Sequence, residues 1–306
     1  MKKPNVIITG SNGMLGKDIV SLFSNKERFN LHGINRSKKD NKKVYQHACD
    51  LTDFNKAISI LNELNPDIII YCAANVNVDA CEKDKEYALK LNAYAAQALA
   101  SYKPVKTKFV YISTDSIFDG IKGNYTEEEI ENPLNYYAYS KLQGEKLVLK
   151  ENPNTIVIRT NIYGFHIPEG NSLVEWALNN LKYNNKILGF KDVYFNPVYT
   201  KQLAKVIFNL IGIDFNGMVN VGCEKGLNKY EFLIKLARKF NLDSSLISES
   251  SVDGISFKAK RPKNTILNLT KLKNIINYEI EIDDGINEMY NDYIEQAFIK
   301  GGLKCE

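Results

Sequence analysis

The sequence has few of the residues that hold metals or form disulfides. It contains three histidines, and its five cysteines show no CxxC or other ligand-like spacing. The cysteines are Cys49, Cys72, Cys81, Cys223 and Cys305. Protein zinc sites need closely spaced Cys and His ligands, and disulfide frameworks use an even number of cysteines. We therefore expect no metal site and reduced thiols, as in a cytoplasmic protein.

Long hydrophobic runs and a strong net charge are also missing. The start, "MKKPNVIITG", offers only four apolar residues before Gly10, too few for a signal peptide. No segment approaches the roughly 20 apolar residues of a membrane span. Lys and Arg number 40 against 36 Asp and Glu, a net charge of +4, and the lysines are scattered. These features argue against membrane and nucleic-acid partners.

The first 160 residues alternate short apolar runs with longer helical patterns. The runs are rich in β-branched and aliphatic residues, as in strands buried on both faces of a parallel sheet. The predicted strands are 5–9, 29–34, 43–48, 66–72, 108–113 and 155–159. The predicted helices between them are 14–25, 54–64, 79–101 and 137–150. This alternation predicts a Rossmann-type, doubly wound α/β domain over residues 1–160.

The remainder of the chain, 161–306, has a different pattern. Amphipathic helices are separated by short strands and by loops rich in Asn, Gly and Pro. The predicted helices are 171–182, 200–212, 228–240 and 283–298. We interpret this part as mainly a smaller α/β substrate-binding domain, interleaved with the first because later segments return to it.

A glycine motif, "TGSNGMLGK", joins the first predicted strand to the first predicted helix. Gly10 permits a tight turn, Gly13 lets the backbone approach a pyrophosphate, and Gly16 allows close helix–strand packing. The pyrophosphate is then held at the helix N-terminus. The alternative is a glycine-rich turn that binds nothing, but the strand–turn–helix context favours dinucleotide binding.

The end of the second strand indicates which dinucleotide is bound. NAD sites usually have Asp or Glu there to bind the ribose 2′-OH. This chain has Arg36, Ser37 and Lys38 instead, with no acid before Asp40. A cationic pocket suits a 2′-phosphate, so NADPH is the predicted cofactor and NADH the alternative. Both cations could also be ordinary solvated loop residues.

Three tyrosines precede a lysine in "NYYAYSKLQGEK", residues 135–146. Tyr137 and Lys141 are four residues apart and share a helix face, whereas Tyr136 and Tyr139 point elsewhere. A neighbouring ammonium should lower the phenol pKa, so that Tyr137 can protonate a carbonyl oxygen that receives a hydride. A hydroxyl from "YISTDSIF" should help to hold that oxygen. Alternation along the strand favours Thr114 or Ser116.

Together these motifs resemble the extended short-chain dehydrogenases/reductases, and most of all the dTDP-4-dehydrorhamnose reductase family. The matching stretches are "GSNGMLG", "AANVNVDACEKD", "YISTDSIFDG", "NPLNYYAYSKLQGE", "RTNIYG" and "RPKNTILNLTKL". The resemblance implies reduction by NAD(P)H of the 4-keto group of a nucleoside-diphosphate 4-keto-6-deoxy sugar. It also implies a catalytic triad of Thr114, Tyr137 and Lys141, with the nucleotide sugar between the two domains.

Two sets of binding residues are predicted on this basis. The cofactor contacts are Gly10, Asn12, Gly13, Met14, Leu15, Gly16, Arg36, Ser37, Asp50, Leu51, Ala73, Ala74, Asn75, Asn92, Tyr137 and Lys141. The substrate contacts are Val76, Asp115, Ser116, Phe118, Asn161, His166 and Arg261. Arginine matches phosphate oxygens bidentately, so Arg261 is expected at the substrate pyrophosphate, or else is a loop cation before Pro262.

Two departures from the family patterns affect the expected reaction. The related 4,6-dehydratases carry Glu where this chain has Ser116, so dehydration is disfavoured. The stretch "RTNIYGFHIPEG" resembles the GDP-fucose synthases, which place a histidine there as an epimerising acid. His166 paired with Asp115 would give an epimerase/reductase, whereas a hydrogen bond from His166 to a sugar hydroxyl or to the loop backbone would not.

A third alternative is a non-catalytic, dinucleotide-binding regulatory subunit, since some relatives of this family act in that way. The Thr114, Tyr137 and Lys141 set argues against it. The remaining expectation concerns assembly, for which we predict a homodimer.

Overall fold

The structure is a computed structural model that describes residues 2–39, 41–167 and 170–301, with side chains described up to residue 295. The strands are β1 (Asn5–Thr9), β2 (Asn30–Asn35), β3 (Tyr45–Ala48), β4 (Ile68–Tyr71), β5 (Lys108–Ile112), β6 (Thr155–Thr160), β7 (Ile162–Tyr163), β8 (Ile187–Phe190), β9 (Tyr194–Phe195), β10 (Val198–Tyr199), β11 (Gly217–Val221), β12 (Leu227–Asn228) and β13 (Ile247–Ser250). Seven of them form one parallel sheet in the order β11-β6-β5-β4-β1-β2-β3. The strand order reverses between β1 and β4, as in doubly wound folds. This confirms the predicted Rossmann-type α/β class.

The helices lie mostly where the hydrophobic pattern predicts them. They are α1 (Met14–Ser24), α2 (Phe54–Leu64), α3 (Val78–Lys83), α4 (Lys85–Leu89), α5 (Ala95–Ala100), α6 (Tyr136–Glu151), α7 (Leu173–Lys182), α8 (Thr200–Gly212), α9 (Lys229–Lys239), α10 (Thr270–Ile275) and α11 (Ile282–Gly301). A π-helical turn, Lys90–Tyr94, joins α4 to α5. Three 3₁₀ turns complete the helical elements: Asp115–Ile117, Ser244–Leu246 and Val252–Gly254.

The prediction of one continuous helix over 79–101 is wrong. Asp84 interrupts it, because its backbone is not helical and its side chain accepts a hydrogen bond from the Tyr87 N–H as the cap of α4. The π-helical turn directly follows α4 and shifts the register of α5. The segment is therefore three short helices and a turn, which together pack on α6.

Alternating apolar residues of the central strands fill two cores, one on each face of the sheet. In β1, Val6 and Ile8 belong to the core that includes α1 and α8, whereas Ile7 belongs to the core that includes α2 and α5. All three side chains are fully buried. The sheet is covered on both faces, and its carboxyl edge is left for the loops that form the site.

The second half of the chain both completes this sheet and builds a smaller unit beside it. Strand β11 returns to the large sheet and pairs with β6. The other strands form three two-stranded sheets, β10–β7, β12–β9 and β13–β8. Helices α7 and α9 begin with capping boxes, Ser172 with Glu175 and Asn228 with Glu231.

Two further facts concern membranes and thiols. No helix within the described ranges is long and apolar enough to cross a membrane. Four cysteines are unpaired thiols, namely Cys49, Cys72, Cys81 and Cys223. Cys305 lies outside the described residues.

Candidate active site

The glycine motif forms a tight turn that requires glycine at two places. Gly10 has φ of 65°, in the left-handed region that favours glycine. A Cβ on Gly16 would overlap the carbonyl oxygen of Gly10, so the start of α1 packs directly on the turn. Gly13 is the N-cap of α1, and no acidic side chain occupies the first turn of this helix. The N-terminus of α1 therefore retains its attraction for an anion.

A cavity of about 490 Å³, cavity A, runs from this turn across the ends of β2 and β4. Ten of the predicted cofactor contacts line it: Gly10, Asn12, Gly13, Arg36, Ser37, Asp50, Leu51, Ala73, Ala74 and Asn75. His166, predicted as a substrate contact, also lines it, and so do Asn35 and Tyr87, which sequence reasoning did not single out. The Asn35 amide donates to Ser11 Oγ at 2.7 Å, and its Oδ1 accepts from the Asn12 N–H at 3.2 Å. Asn35 thereby holds the glycine turn against β2.

One end of cavity A is cationic. Arg36, Ser37 and Lys39 line it there, whereas Lys38, the cation considered from the sequence, is not among its lining residues. Asp50 stands nearby, and a backbone hydrogen bond from Thr52 lowers the pKa of its carboxyl group. The arrangement offers a guanidinium, an ammonium and a hydroxyl to a phosphate group.

Asn92, a predicted cofactor contact, is not among the residues that line cavity A. Its side chain is fully buried and hydrogen-bonds to the backbone of Asn75, which does line the cavity. Asn92 therefore positions the end of β4 and does not touch a ligand itself.

A second cavity of about 490 Å³, cavity B, adjoins cavity A at the glycine turn. It brings together the predicted triad of Thr114, Tyr137 and Lys141. The other predicted residues that line it are Gly10, Gly13, Met14, Leu15, Gly16, Ala74, Val76, Ser116, Asn161 and His166. Residues from β5, α6 and the loop after β6 thus meet the start of α1 in one cleft.

Helix α6 places Tyr137 and Lys141 because Asn135 fixes its first turn. The Asn135 side chain accepts from the Ala138 N–H at 2.9 Å and donates to the Lys260 carbonyl at 3.0 Å. Tyr136 and Tyr139, whose rings lie 5.3 Å apart, are not among the residues that line cavities A and B. The helix thus turns only Tyr137 of the three tyrosines towards the cleft.

The acid–base properties of this pair differ from the sequence expectation. Burial raises the pKa of the Tyr137 phenol above its ordinary value, although a hydrogen bond with Thr114 opposes the shift. Burial also lowers the pKa of Lys141 to about 7, against a smaller raising effect of Glu145. The expectation of a lowered Tyr137 pKa is therefore wrong, because removal of the phenol from water raises it.

Lys141 packs against an aromatic ring and lies beside a network of buried polar groups. Its Nζ is 3.9 Å from the centre of the Tyr111 ring, and the Tyr111 hydroxyl donates to the Asn92 carbonyl at 2.6 Å. One turn further along α6, Glu145 accepts a hydrogen bond from Ser113 and forms an ion pair with Arg159. The Arg159 Nη2 atom lies 2.8 Å from Glu145 Oε2. Both members of this ion pair are buried. The triad therefore rests on a satisfied buried network.

Asp115 is buried beside the cleft, and its two oxygens are already occupied by donors. Oδ2 accepts from Thr265 at 2.6 Å and from Asn161 at 3.0 Å. Oδ1 accepts from Thr114 and Ser116, each at 3.2 Å. Asp115, a predicted substrate contact, is not among the residues that line cavities A and B. It orders the side chains that do line the cleft.

His166 has a partner that sequence reasoning missed. Its Nδ1 lies 2.8 Å from Oε2 of Glu175, a carboxylate that is almost fully buried at the start of α7. Among the described residues no hydrogen bond joins His166 to Asp115. His166 is thus held by Glu175, whereas Asp115 is held by Thr265 and Asn161. The "SLVE" capping box was the available signal for Glu175, but it indicates a helix start and not a histidine partner.

Two other predicted substrate contacts lie elsewhere. Phe118 is fully buried and stacks on Tyr125, with ring centres 4.2 Å apart. Arg261 lines a separate cavity of about 760 Å³, cavity C, together with Lys191, Tyr194 and Lys263. The Arg261 Nη2 atom lies 3.3 Å from Asp79 Oδ1, so Arg261 also forms an ion pair with α3.

The model of the family described as "RmlD substrate binding domain" matches residues 4–294. The chain belongs to this family. A dTDP-4-dehydrorhamnose reductase of Aggregatibacter actinomycetemcomitans is 29% identical over 283 residues, which cover 88% of this chain and 92% of the relative. The rat "Methionine adenosyltransferase 2 subunit beta" is 30% identical over 281 residues, 88% of this chain and 82% of the relative.

A solved structure supports the same family assignment. The dTDP-4-dehydrorhamnose reductase of Bacillus anthracis, in complex with NADP, superimposes with a TM-score of 0.84 at 28% identity. The similarity covers 95% of this chain and 99% of that chain. The relatives of this chain thus include proteins named as reductases and proteins named as subunits, and the residues of the cleft bear on which of the two this chain resembles in function.

Proposed function

We propose that this protein is an NADPH-dependent oxidoreductase that reduces the 4-keto group of a nucleoside-diphosphate 4-keto-6-deoxy sugar. The observation that carries the proposal is the meeting of Thr114, Tyr137 and Lys141 in a cavity that adjoins the glycine turn. The reductase relatives and the NADP complex of the Bacillus anthracis enzyme support it.

The residues of the cleft suit the two halves of a carbonyl reduction. The cofactor, held along cavity A, would supply the hydride. Tyr137 would give its proton to the carbonyl oxygen as the bond to carbon forms, leaving a phenolate. Thr114 hydrogen-bonds to the Tyr137 side chain and fixes its position. Lys141, with a pKa of about 7, is protonated in a large fraction of molecules at neutral pH and would stabilise that phenolate.

The cationic end of cavity A supports NADPH as the cofactor. Arg36 and Lys39 would bind a 2′-phosphate, with Ser37 as an additional donor. Cavity C supports a site for the diphosphate of the substrate, because Arg261, Lys191 and Lys263 line it. We propose further that the C-terminal half of the chain mainly binds the substrate.

The direct test incubates the protein with NADPH and a dTDP-4-keto-6-deoxy sugar and follows absorbance at 340 nm. We expect oxidation of NADPH and formation of a deoxy-sugar alcohol. Tyr137→Phe should lower turnover well over tenfold and leave NADPH binding unchanged, since only the acidic hydroxyl is removed. Equal turnover by wild type and Tyr137→Phe would contradict the role of Tyr137. Absence of NADPH oxidation with dTDP-, GDP- and UDP-linked keto sugars would contradict the reductase.

A regulatory subunit is the second candidate, because the rat relative that is 30% identical is named as a subunit of another enzyme. In that case NADPH should bind with ordinary affinity, yet no keto sugar should be reduced.

Size-exclusion chromatography with light scattering, run on the same preparation, tests the predicted homodimer.

A further inference from the structure

His166 lies where cavities A and B meet. The two cavities share five lining residues: Gly10, Gly13, Cys72, Ala74 and His166. Gly10 and Gly13 belong to the turn that receives a pyrophosphate in dinucleotide-binding folds, at the N-terminus of α1. His166 comes from a different part of the chain, the loop between β7 and α7. Its side chain therefore approaches the pyrophosphate position from outside the Rossmann turn.

The imidazole is held in a built site. Glu175 accepts three backbone hydrogen bonds, from the N–H groups of His166, Gly170 and Ser172, in addition to the contact with His166 Nδ1. These bonds place the pKa of Glu175 at about 2, so it is ionised and can only accept. A Cβ on Gly170 would lie 2.5 Å from His166 Nδ1, which shows that the ring packs on this glycine.

This arrangement leaves one ring nitrogen for a ligand. Because Glu175 can only accept, Nδ1 carries the proton that it donates, and Nε2 is the nitrogen without a partner among the described residues. The side chain of His166 is 36% exposed, whereas that of Glu175 is 1% exposed. With a pyrophosphate bound, the ring would donate from Nδ1 to Glu175 and from Nε2 to a phosphate oxygen.

We propose that His166, positioned by Glu175, is a binding residue for the pyrophosphate of the dinucleotide. It would face the glycine turn across the ligand. His166 would then serve the cofactor, in place of the sugar contact or epimerising acid that its sequence motif indicates. The inference rests on the proposed dinucleotide binding and does not depend on which sugar is reduced.

Ligands of graded length test the position of this contact by isothermal titration calorimetry. NADP⁺ and 2′-phospho-ADP-ribose contain the pyrophosphate, whereas 2′,5′-ADP lacks it. We expect His166→Ala to raise the Kd of the first two ligands by roughly 10- to 100-fold, the range of a charge-assisted hydrogen bond. The Kd of 2′,5′-ADP should change less than threefold. Weakening of NADP⁺ alone would place the contact at the nicotinamide and overturn the proposal. Equal weakening of all three, or of none, would also overturn it.

Glu175 has a matched control elsewhere in the chain. Glu231 occupies the same capping-box position at the start of α9 and does not line cavities A or B. Glu175→Gln should cost more stability than Glu231→Gln, because Glu175 accepts from three backbone N–H groups and from His166 Nδ1, whereas Glu231 accepts from the Asn228 N–H. Under conditions where both variants are folded, only Glu175→Gln should weaken the binding of NADP⁺, since it alters the acceptor that holds the His166 ring. Equal affinity in the two variants would contradict the positioning role.

The experiment separates failure of the inference from failure of the proposed function. Wild-type protein that binds none of the three ligands would refute dinucleotide binding itself, and with it this site. Wild-type protein that binds NADP⁺ tightly, together with an unaffected His166→Ala variant, would refute only the role of His166.

Discussion

The side chain of Asn92 satisfies both backbone polar groups of Asn75. Its Oδ1 accepts from the Asn75 N–H at 2.8 Å, and its Nδ2 donates to the Asn75 carbonyl at 3.1 Å. The same Nδ2 lies 2.9 Å from Ser140 Oγ on α6. Asn92 belongs to the π-helical turn, a distortion that is often found at functional sites. The turn therefore connects the end of β4, which lines cavity A, to the helix that carries Tyr137.

Replacing Asn92 with leucine should destabilise the fold and loosen the cofactor site together. The change keeps a similar volume but removes the partner of the half-buried Asn75 N–H and leaves the Asn75 carbonyl with the Cys81 thiol, while Ser140 loses its Asn92 contact. An unsatisfied buried group costs about 1–3 kcal/mol. We expect a loss of roughly 2–4 kcal/mol in urea unfolding and a higher Kd for NADPH. A loss below 1 kcal/mol would show that water replaces the amide.

Arg36 should determine the preference for NADPH over NADH. Arg36→Ala removes a charge-assisted contact with the 2′-phosphate, so kcat/KM with NADPH should fall roughly 10- to 100-fold. The value with NADH, which lacks that phosphate, should change less than threefold. Lys38→Ala is the matched control, because Lys38 is in the same loop but is not among the residues that line cavity A. An equal effect of Arg36→Ala on both cofactors would contradict this assignment.

The burial of Lys141 in the cleft should destabilise the folded protein. Burial lowers its pKa from 10.5 to about 7, so between these values the unfolded chain binds the extra proton and stability rises with pH. Lys141→Met removes the buried ammonium. We expect the variant to be more stable than wild type by roughly 2 kcal/mol or more at pH 6. The gain should shrink as the pH rises towards 10.

Urea unfolding of both proteins at pH 6 and pH 9 checks this difference. The variant should be inactive at either pH if Lys141 acts as proposed. A stability gain of equal size at both pH values would indicate better packing of the methionine and not relief of a buried charge.

Two glycines in helices should respond oppositely to substitution by alanine. Gly16→Ala places a Cβ against the carbonyl oxygen of Gly10, so it should disrupt the turn and abolish measurable dinucleotide binding. Gly212, at the end of α8, has nothing within 4 Å of a Cβ. Gly212→Ala should leave binding unchanged and alter stability by no more than about 1 kcal/mol. Tight NADP⁺ binding by Gly16→Ala would show that the turn can relax.

The sequence predicts the strands and the cleft best where local geometry decides the outcome. The run at 5–9 is a strand because every residue of it suits a sheet covered on both faces, and β1 has the same bounds. Tyr137 and Lys141 lie in one cavity because their spacing is a property of any α-helix. The break at Asp84 was missed, since a cap inside a helical pattern competes with the pattern itself.

The sequence is less informative where distant residues decide the outcome. Whether Phe118 faces the cleft or the core depends on Tyr125 and Arg159, which pack on its ring. The pKa of Tyr137 depends on how completely the fold removes it from water. The partner of His166 is a glutamate whose local pattern already has a sufficient explanation as a helix cap. None of these relationships is visible in residue spacing.

The pairing of β6 with β11 has a consequence for synthesis of the chain. All six residues of β6 are buried, yet its outer neighbour is made only after α7 and α8 and the strands between them. Until residue 221 leaves the ribosome, β6 is an unpaired sheet edge with three consecutive apolar residues, 156–158, the kind that invites association between nascent chains. A fragment ending near residue 160 would carry that edge permanently. The half of the chain that holds the glycine turn is therefore expected to aggregate when it is expressed alone.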